Sequence, residues 1–360
     1  MNRCRTGLVI GKFYPPHAGH HLLIDTAAAV CDEVVVVVAP SSAESIPLEL
    51  RLAWLREVHA GARVRFVGRH CDLPIDYHDR EIWDAHEAFF RELVGDAAVD
   101  AVFSSESYGE ELARRFGAAH VCVDADRAGI PVSGTAVRAD PVAHWDALSA
   151  PVRAWFTRKV VVLGAESTGT TTMAAALAAR LRERGGIWAR TRWVPEYGRE
   201  LTEVKLAAAV AADPTSTMHD LRWDRADFTE VVKAQNAAED TALRDGSPVL
   251  VCDTDAWTTR VWEERYLGSS SPEVAAAARV PSLYLLTGHE GVPFEQDGMR
   301  DGEHLRPAMT ARFRALLAAQ PAPVVELRGP HEERLRTAES AVNRLLAAGW
   351  RLADPISPRG

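Results

Sequence analysis

Two loops in this chain bring together residue types that handle phosphate, and they do so differently. The first runs Gly11-Lys12-Phe13-Tyr14-Pro15-Pro16-His17-Ala18-Gly19-His20 after the apolar run 7–10. The second runs Gly164-Ala165-Glu166-Ser167-Thr168-Gly169-Thr170-Thr171 after the apolar run 160–163. In the first, glycine and proline shape a tight loop, and His17 and His20 stand three residues apart where a helix should begin. A helix N-terminus offers unpaired N–H groups and partial positive charge, which suits an anionic phosphate. Imidazoles there donate to phosphate oxygens without a permanent cation, and Lys12 adds one. The plainer reading of His17, His20 and His21 is a set of surface histidines on a turn, or a chance metal cluster. A later stretch, 131–141, places Ser133, Thr135 and Arg138 just before or within a helix start. Two hydroxyls and a guanidinium can bind a triphosphate and neutralise a leaving pyrophosphate, although an ordinary hydroxyl turn beside a solvated arginine would look the same.

The second loop has the frame of a P-loop without its lysine. Gly164 and Gly169 have the spacing that lets successive backbone N–H groups face phosphates, with Ser167 between them, and Thr171 stands where a hydroxyl meets Mg²⁺. The lysine position is Thr170. Loss of one well-placed donor costs roughly 3–4 kcal/mol, or about 10²–10³ in rate. Arg158 and Lys159 precede the strand, far from the loop, so an arginine from the glycine- and charge-rich stretch 293–307 is the better substitute. Asp253 ends an apolar strand, where it can hold Mg²⁺ or its waters, and Glu196 can orient a hydroxyl or accept its proton. Gly298 with Arg300 and Arg306 reads as a lid that closes on a nucleotide and excludes water. Each has a bland rival: a turn residue for Asp253, a helix cap for Glu196, a solvated connector for 293–307.

The elements that must position these residues alternate in type. In the first half strands are expected at 8–10, 34–39, 64–67, 101–104 and 120–123, with helices at 20–31, 48–59, 81–94 and 108–116. Short apolar runs between longer amphipathic stretches predict βαβ units and a mostly parallel sheet. A helical, Trp-containing stretch broken by Pro141 and Pro151 marks the junction near 140–158. The second half restarts with a strand at 160–163 and a helix over 171–184 that ends at Gly185-Gly186. Strands follow at 191–194, 249–252, 282–286 and 324–327, with helices at 225–244 and 332–348 and an alanine-rich stretch at 273–279. The tail 354–360 reads as loose. The halves show no repeat, so they are different modules: a first domain over 1–150 and a second over 151–360, with its lid around 293–307.

Composition narrows the setting. The length fits two or more domains, each able to bury a core. A formal net charge of −9 argues against a general nucleic-acid binder. Five scattered cysteines without a CxxC pair read as reduced thiols. The longest apolar run is too short to span a bilayer, and no signal-peptide h-region precedes it. These point to a cytoplasmic protein with neither nucleic acid nor membrane as partner; homo-oligomerisation is compatible with the sequence.

An early HxGH (His17, His20) and a late SxTxxR (Ser133, Thr135, Arg138) in one α/β unit resemble the nucleotidyltransferase superfamily of adenylyltransferases. The resemblance implies that His17 and His20 hold the ATP phosphates, that Ser133, Thr135 and Arg138 bind the β- and γ-phosphates, and that Gly11, Lys12 and Phe13 belong to the same site. The segment 41–55 resembles the nicotinamide-mononucleotide (NMN) branch in the arrangement of the bifunctional NadR proteins. There Arg51 and Trp54 either serve the nicotinamide nucleotide or are a surface arginine and a buried tryptophan. The second half, with Val194-Pro195-Glu196-Tyr197-Gly198-Arg199-Glu200, Cys252-Asp253-Thr254-Asp255 and Phe294-Glu295-Gln296-Asp297-Gly298-Met299-Arg300-Asp301 after its P-loop frame, resembles the ribosylnicotinamide kinase domain of NadR. The implied fold is α/β throughout, a Rossmann-like nucleotidyltransferase domain followed by a P-loop NTPase/kinase domain, both with mostly parallel sheets. The implied activity is NAD salvage with ATP and Mg²⁺: phosphorylation of nicotinamide riboside, then AMP transfer to NMN. The adenylyltransferase strand opens at once, so the resemblance implies no helix-turn-helix module and no repressor role. Two rivals share the motifs, a pantetheine-phosphate adenylyltransferase joined to a dephospho-coenzyme-A kinase, and an adenylyltransferase joined to a P-loop domain that senses a nucleotide without turning it over.

Overall fold

A computed structural model describes residues 4–300 and 302–357. Asp301, in the stretch read as a lid, and the last three residues of the tail lie outside the described residues. The chain divides into two compact units, residues Met1–Val152 with Trp350–Gly360, and Arg153–Gly349.

In the first unit β1 (Cys4–Gly11), α1 (Ala18–Val30), β2 (Cys31–Val38), α2 (Leu48–Val58), β3 (Val64–Gly68), α3 (Arg80–Val94), β4 (Ala101–Ser104), α4 (Tyr108–Phe116) and β5 (Ala119–Cys122) precede a short α5 (Gly134–Ala139). The five strands form one parallel sheet in the order β3-β2-β1-β4-β5. Both faces are covered, which explains the unbroken apolar strands. Val9 of β1 and Val34, Val36 and Val38 of β2 pack with Leu23, Ile24 and Ala27 of α1 and Leu52 and Leu55 of α2. Their neighbours Leu8, Ile10, Val35 and Val37 point the other way, onto Trp83 and Phe90 of α3 and Leu112 of α4. Asp79 caps α3 by accepting from the N–H groups of Glu81 and Ile82. The order turns back at β1, which lies between β2 and β4, and a crevice opens beyond its C-terminal end.

α6 (Ala150–Phe156) carries the chain across the division. The second unit follows with β6 (Arg158–Gly164), α7 (Thr170–Arg182), β7 (Arg192–Val194), α8 (Tyr197–Ala212), α9 (Arg225–Asp245), β8 (Val249–Asp253), α10 (Ala256–Leu267), α11 (Pro272–Ala277), β9 (Leu283–Thr287), α12 (Arg306–Leu317), β10 (Val324–Leu327) and α13 (His331–Ala347). Its parallel sheet has the order β10-β9-β6-β8-β7, with β6 at the centre. Val160 and Val162 pack on α7 and α13, and Val161 and Leu163 on Trp257 and Val261 of α10 and Phe313 of α12.

Three helices escape the sequence patterns. α8 is alanine-rich and buries only Leu201, so it has no broad apolar stripe. α10 is buried around much of its girth, Thr258, Thr259 and Glu263 included, so it has no polar face to set a period. α12 begins at Arg306 and so takes the end of the stretch read as a lid. The tail, read as a loose end of the second domain, belongs to the first unit instead.

Candidate active sites

In the first unit β1 ends at Gly11, and the chain turns through Phe13, whose φ is 50°, to reach α1. His17 caps that helix: its Nδ1 accepts from the Gly19 N–H at 3.2 Å. An Nδ1 that accepts leaves the ring proton on Nε2, so His17 offers a donor on its other side. The His20 ring lies 3.8 Å from the His17 ring and 4.8 Å from that of Phe13, centroid to centroid. Burial, with smaller contributions from His21 and Arg127, lowers the His17 pKa to about 3. Burial and the neighbouring His17 hold His20 well below the ordinary value too. Both imidazoles are neutral donors at physiological pH.

The late motif meets the early one through a single guanidinium. Ser133 caps α5, its Oγ accepting from the Ala136 N–H at 3.1 Å. Arg138 donates to the Tyr14 carbonyl at 2.7 Å and to Thr135 Oγ1 at 3.1 Å. Gly134 permits this approach, since a Cβ there would come 3.1 Å from the Tyr14 carbonyl oxygen. Gly11, Lys12, Phe13, His17, His20, Ser133, Thr135 and Arg138 all line one cavity of about 680 Å³. Residues from opposite ends of the unit thus converge.

Two residues named for this site are elsewhere. Arg51 is fully buried, donates to Glu44 at 2.6 Å and to the carbonyls of Ile46 and Lys12, and lines no part of the cavity. Trp54 is buried in the core, 5% exposed. A charged pair that holds the loop together explains the arginine, so neither residue is in place to touch a nucleotide. The apolar end of the cavity comes from residues the motifs did not contain, among them Tyr77, Trp83, Phe90 and Tyr108. The Tyr77 and Tyr108 rings are parallel within 5°, 6.5 Å apart, and the Tyr108 hydroxyl donates to the Ile10 carbonyl.

In the second unit β6 runs straight into the glycine loop. Ser167 and Gly169 have φ of 53° and 84°, in the left-handed region that turns successive N–H groups inward. Gly164 is hemmed in: a Cβ would approach the Thr287 carbonyl oxygen to 2.8 Å. Thr168 braces the loop from within, donating to the Ala165 carbonyl and sharing a 2.7 Å contact with Thr287 Oγ1. Thr171 Oγ1 donates to Asp253 at 2.5 Å, which joins the first turn of α7 to the end of β8. Burial raises the Asp253 pKa, against the pull of its threonine hydrogen bonds. Glu196 occupies the cap position of α8 without capping it, and burial together with the Asp253 charge raises its pKa further. A half-buried carboxyl of raised pKa is, in its ionised form, a stronger base for the proton of a substrate hydroxyl.

Gly164, Ser167, Thr170, Thr171, Glu196, Asp253 and Arg300 share one cleft. Gly169 forms the cap just before it. The cations lining that cleft are Arg199 and Arg300, so they are the groups placed to offset Thr170. Arg300 lies 3.3 Å from Ser167 Oγ, and Asp297 holds both guanidiniums, Arg199 at 2.9 Å and Arg300 at 3.5 Å. Arg306 is 7% exposed and donates to the carbonyls of Ser167 and Val292; it fastens the loop and is absent from the lining. Lys159 is taken up by Glu239 at 2.8 Å. Met218, Trp223, Phe228, Trp262 and Tyr266 complete the cleft with an aromatic wall. Trp223 stands 5.7 Å from Phe228 and 5.6 Å from Tyr266. Trp262 and Tyr266, four residues apart on α10, were the one readable signal of it.

Comparison with known proteins follows the same division. Residues 8–139 match the cytidylyltransferase-like family and residues 159–334 the AAA domain family. The trifunctional NAD biosynthesis/regulator protein NadR of Escherichia coli K12 is 25% identical over 317 residues, 82% of this chain and 71% of that protein. The protein of the same name from Salmonella typhimurium LT2 is 24% identical over 312 residues, with the same coverage. A crystal structure of NadR in complex with NR superimposes with a TM-score of 0.70 at 23% identity, over 95% of this chain and 96% of that one. Another, with NAD and AMP-PNP, gives 0.67 at 23% identity over 98% of each. At these identities the structures establish the fold. The chain is similar to NadR over most of its length, a stretch that matches the cytidylyltransferase-like family followed by one that matches the AAA domain family, each on its own parallel sheet.

Proposed function

We propose that the protein makes NAD from nicotinamide riboside in two ATP-dependent steps, one in each unit. The observation that carries this reading is the convergence of two distinct phosphate-handling motifs on two separate cavities, in a chain related to NadR over most of its length. In the second unit ATP lies on the glycine loop, with the riboside ring against the aromatic wall of Trp223, Phe228 and Tyr266. Glu196 receives the proton of the 5′-hydroxyl as it attacks the γ-phosphate, and Arg300 neutralises charge that Thr170 leaves unmatched. Thr171 and Asp253 form the hydroxyl–carboxylate pair that would hold Mg²⁺, and the ion would supply neutralisation of charge on the transferring group.

In the first unit the mononucleotide phosphate attacks the α-phosphate of a second ATP, and pyrophosphate leaves. His17 and His20 donate to phosphate oxygens while Ser133, Thr135, Arg138 and Lys12 hold the departing pyrophosphate. No protein side chain is modified; rate comes from alignment and from donors aimed at developing charge. The test is to incubate the protein with ATP, Mg²⁺ and either nicotinamide riboside or NMN and to separate the products. NAD from both substrates supports the whole reading. NAD from NMN alone would leave the second unit as a nucleotide-sensing domain, the reading that Thr170 favours. No NAD from either would overturn the nicotinamide assignment.

A further inference from the structure

The loop after β1 gathers more positive than negative charge. Arg51 and Arg138 place their guanidinium carbons 4.5 and 4.9 Å from the centre of the Tyr14 ring, and Lys12 is beside them. Glu44 serves Arg51 at 2.6 Å and stands 3.9 Å from Lys12. The missing acceptors come from the far end of the chain. Lys12 Nζ donates to the Ile356 carbonyl at 2.5 Å, and the Tyr14 hydroxyl donates to the Ala353 carbonyl at 2.8 Å. The Ala353 N–H donates to Ser45 Oγ at 2.8 Å. Burial lowers the Arg138 pKa, and the charges of Tyr14, Glu44 and Asp354 oppose that shift. Pro355, Ile356 and Ser357 line the same cavity as His17, Ser133, Thr135 and Arg138.

A carbonyl oxygen on an ammonium reproduces what a phosphate oxygen would offer the same cation. We infer that residues 353–357 are a strap that occupies the phosphate end of the first cavity and competes with a nucleoside triphosphate for Lys12. This rests on the reading of that cavity as an ATP site. The strap is held mainly by hydrogen bonds, and Ala353, Asp354 and Ser357 are exposed, so a ligand that makes several phosphate contacts can displace it. Its effect is a weakened apparent affinity for ATP, by the fraction of molecules in which the site is open.

Hydrogen exchange of the full-length protein with ATP alone tests this without any turnover. ATP should protect the amides of 11–20 and speed exchange at Ala353. In NAD formation from NMN, a chain ending at Leu352 should show a KM for ATP lowered about three- to tenfold, as for a site open in a third to a tenth of molecules, with kcat unchanged or raised. Ser45→Ala, which removes one anchor and leaves the chain whole, should move KM the same way by less, and guards against a truncation that unfolds. Protection at 11–20 with unchanged or increased protection at Ala353, or a KM that rises in both variants, would make the tail a wall of the site and overturn the strap. No protection at 11–20 would overturn the ATP reading itself.

Discussion

Thr170 is one hydroxyl in the place of an ammonium, and the consequence can be measured. If Arg300 supplies the charge, Arg300→Ala lowers riboside phosphorylation by about 10²–10³, and Thr170→Lys in the same chain restores most of the loss. A rate in the double variant no higher than in Arg300→Ala would remove Arg300 from that role. Arg51 shows the opposite situation, a charge used only for structure. Because it is fully buried against Glu44, Arg51→Met should destabilise the first unit by about 3–5 kcal/mol, the cost of stranding a buried partner, in urea unfolding. His17 gives a pH dependence. Its folded pKa of about 3 lies below the ordinary value of 6.5, so the unfolded chain takes up the proton first. Stability is therefore full above about pH 6.5 and falls as pH drops toward 3. Near pH 5 the loss from this one group is about 2 kcal/mol, and His17→Asn should flatten the profile of stability against pH by that amount.

At the scale of elements, the glycine loop works because β6 and β9 leave no room beside it. Gly164→Ala would push a methyl group against the Thr287 carbonyl, and overpacking of this kind costs about 1–3 kcal/mol. The expected outcome is a folded protein that no longer binds ATP in the second unit, read by riboside phosphorylation alongside intact NAD formation from NMN. The strands were legible because their apolar β-branched runs are short and bounded; β1, β2, β6 and β8 each lie within a few residues of their expected positions. α8 and α10 were not, because one has too few buried residues and the other too many to show a helical period.

For the molecule as a whole, two sheets with two cavities imply two separable activities. Asp253→Asn should abolish NAD formation from riboside and leave formation from NMN near wild type, whereas Arg138→Ala should stop both. A loss of NMN conversion in Asp253→Asn would show that the second unit is needed for the first reaction as well.

What the residues alone determined were the two phosphate-handling loops, their order, and the parallel sheets that carry them. These are local matters: glycine spacing, a histidine pair at a helix start and strand-length apolar runs lie within about twenty residues of one another. Only the tertiary structure decided the rest. It buried Arg51 and Trp54, set Arg300 rather than Arg306 in the cleft beside the glycine loop, assembled an aromatic wall from two separated segments, and brought residues 353–357 to Lys12. Each of these joins groups far apart in the chain. Packing and charge neutralisation in three dimensions place them, and no periodicity along the chain records either.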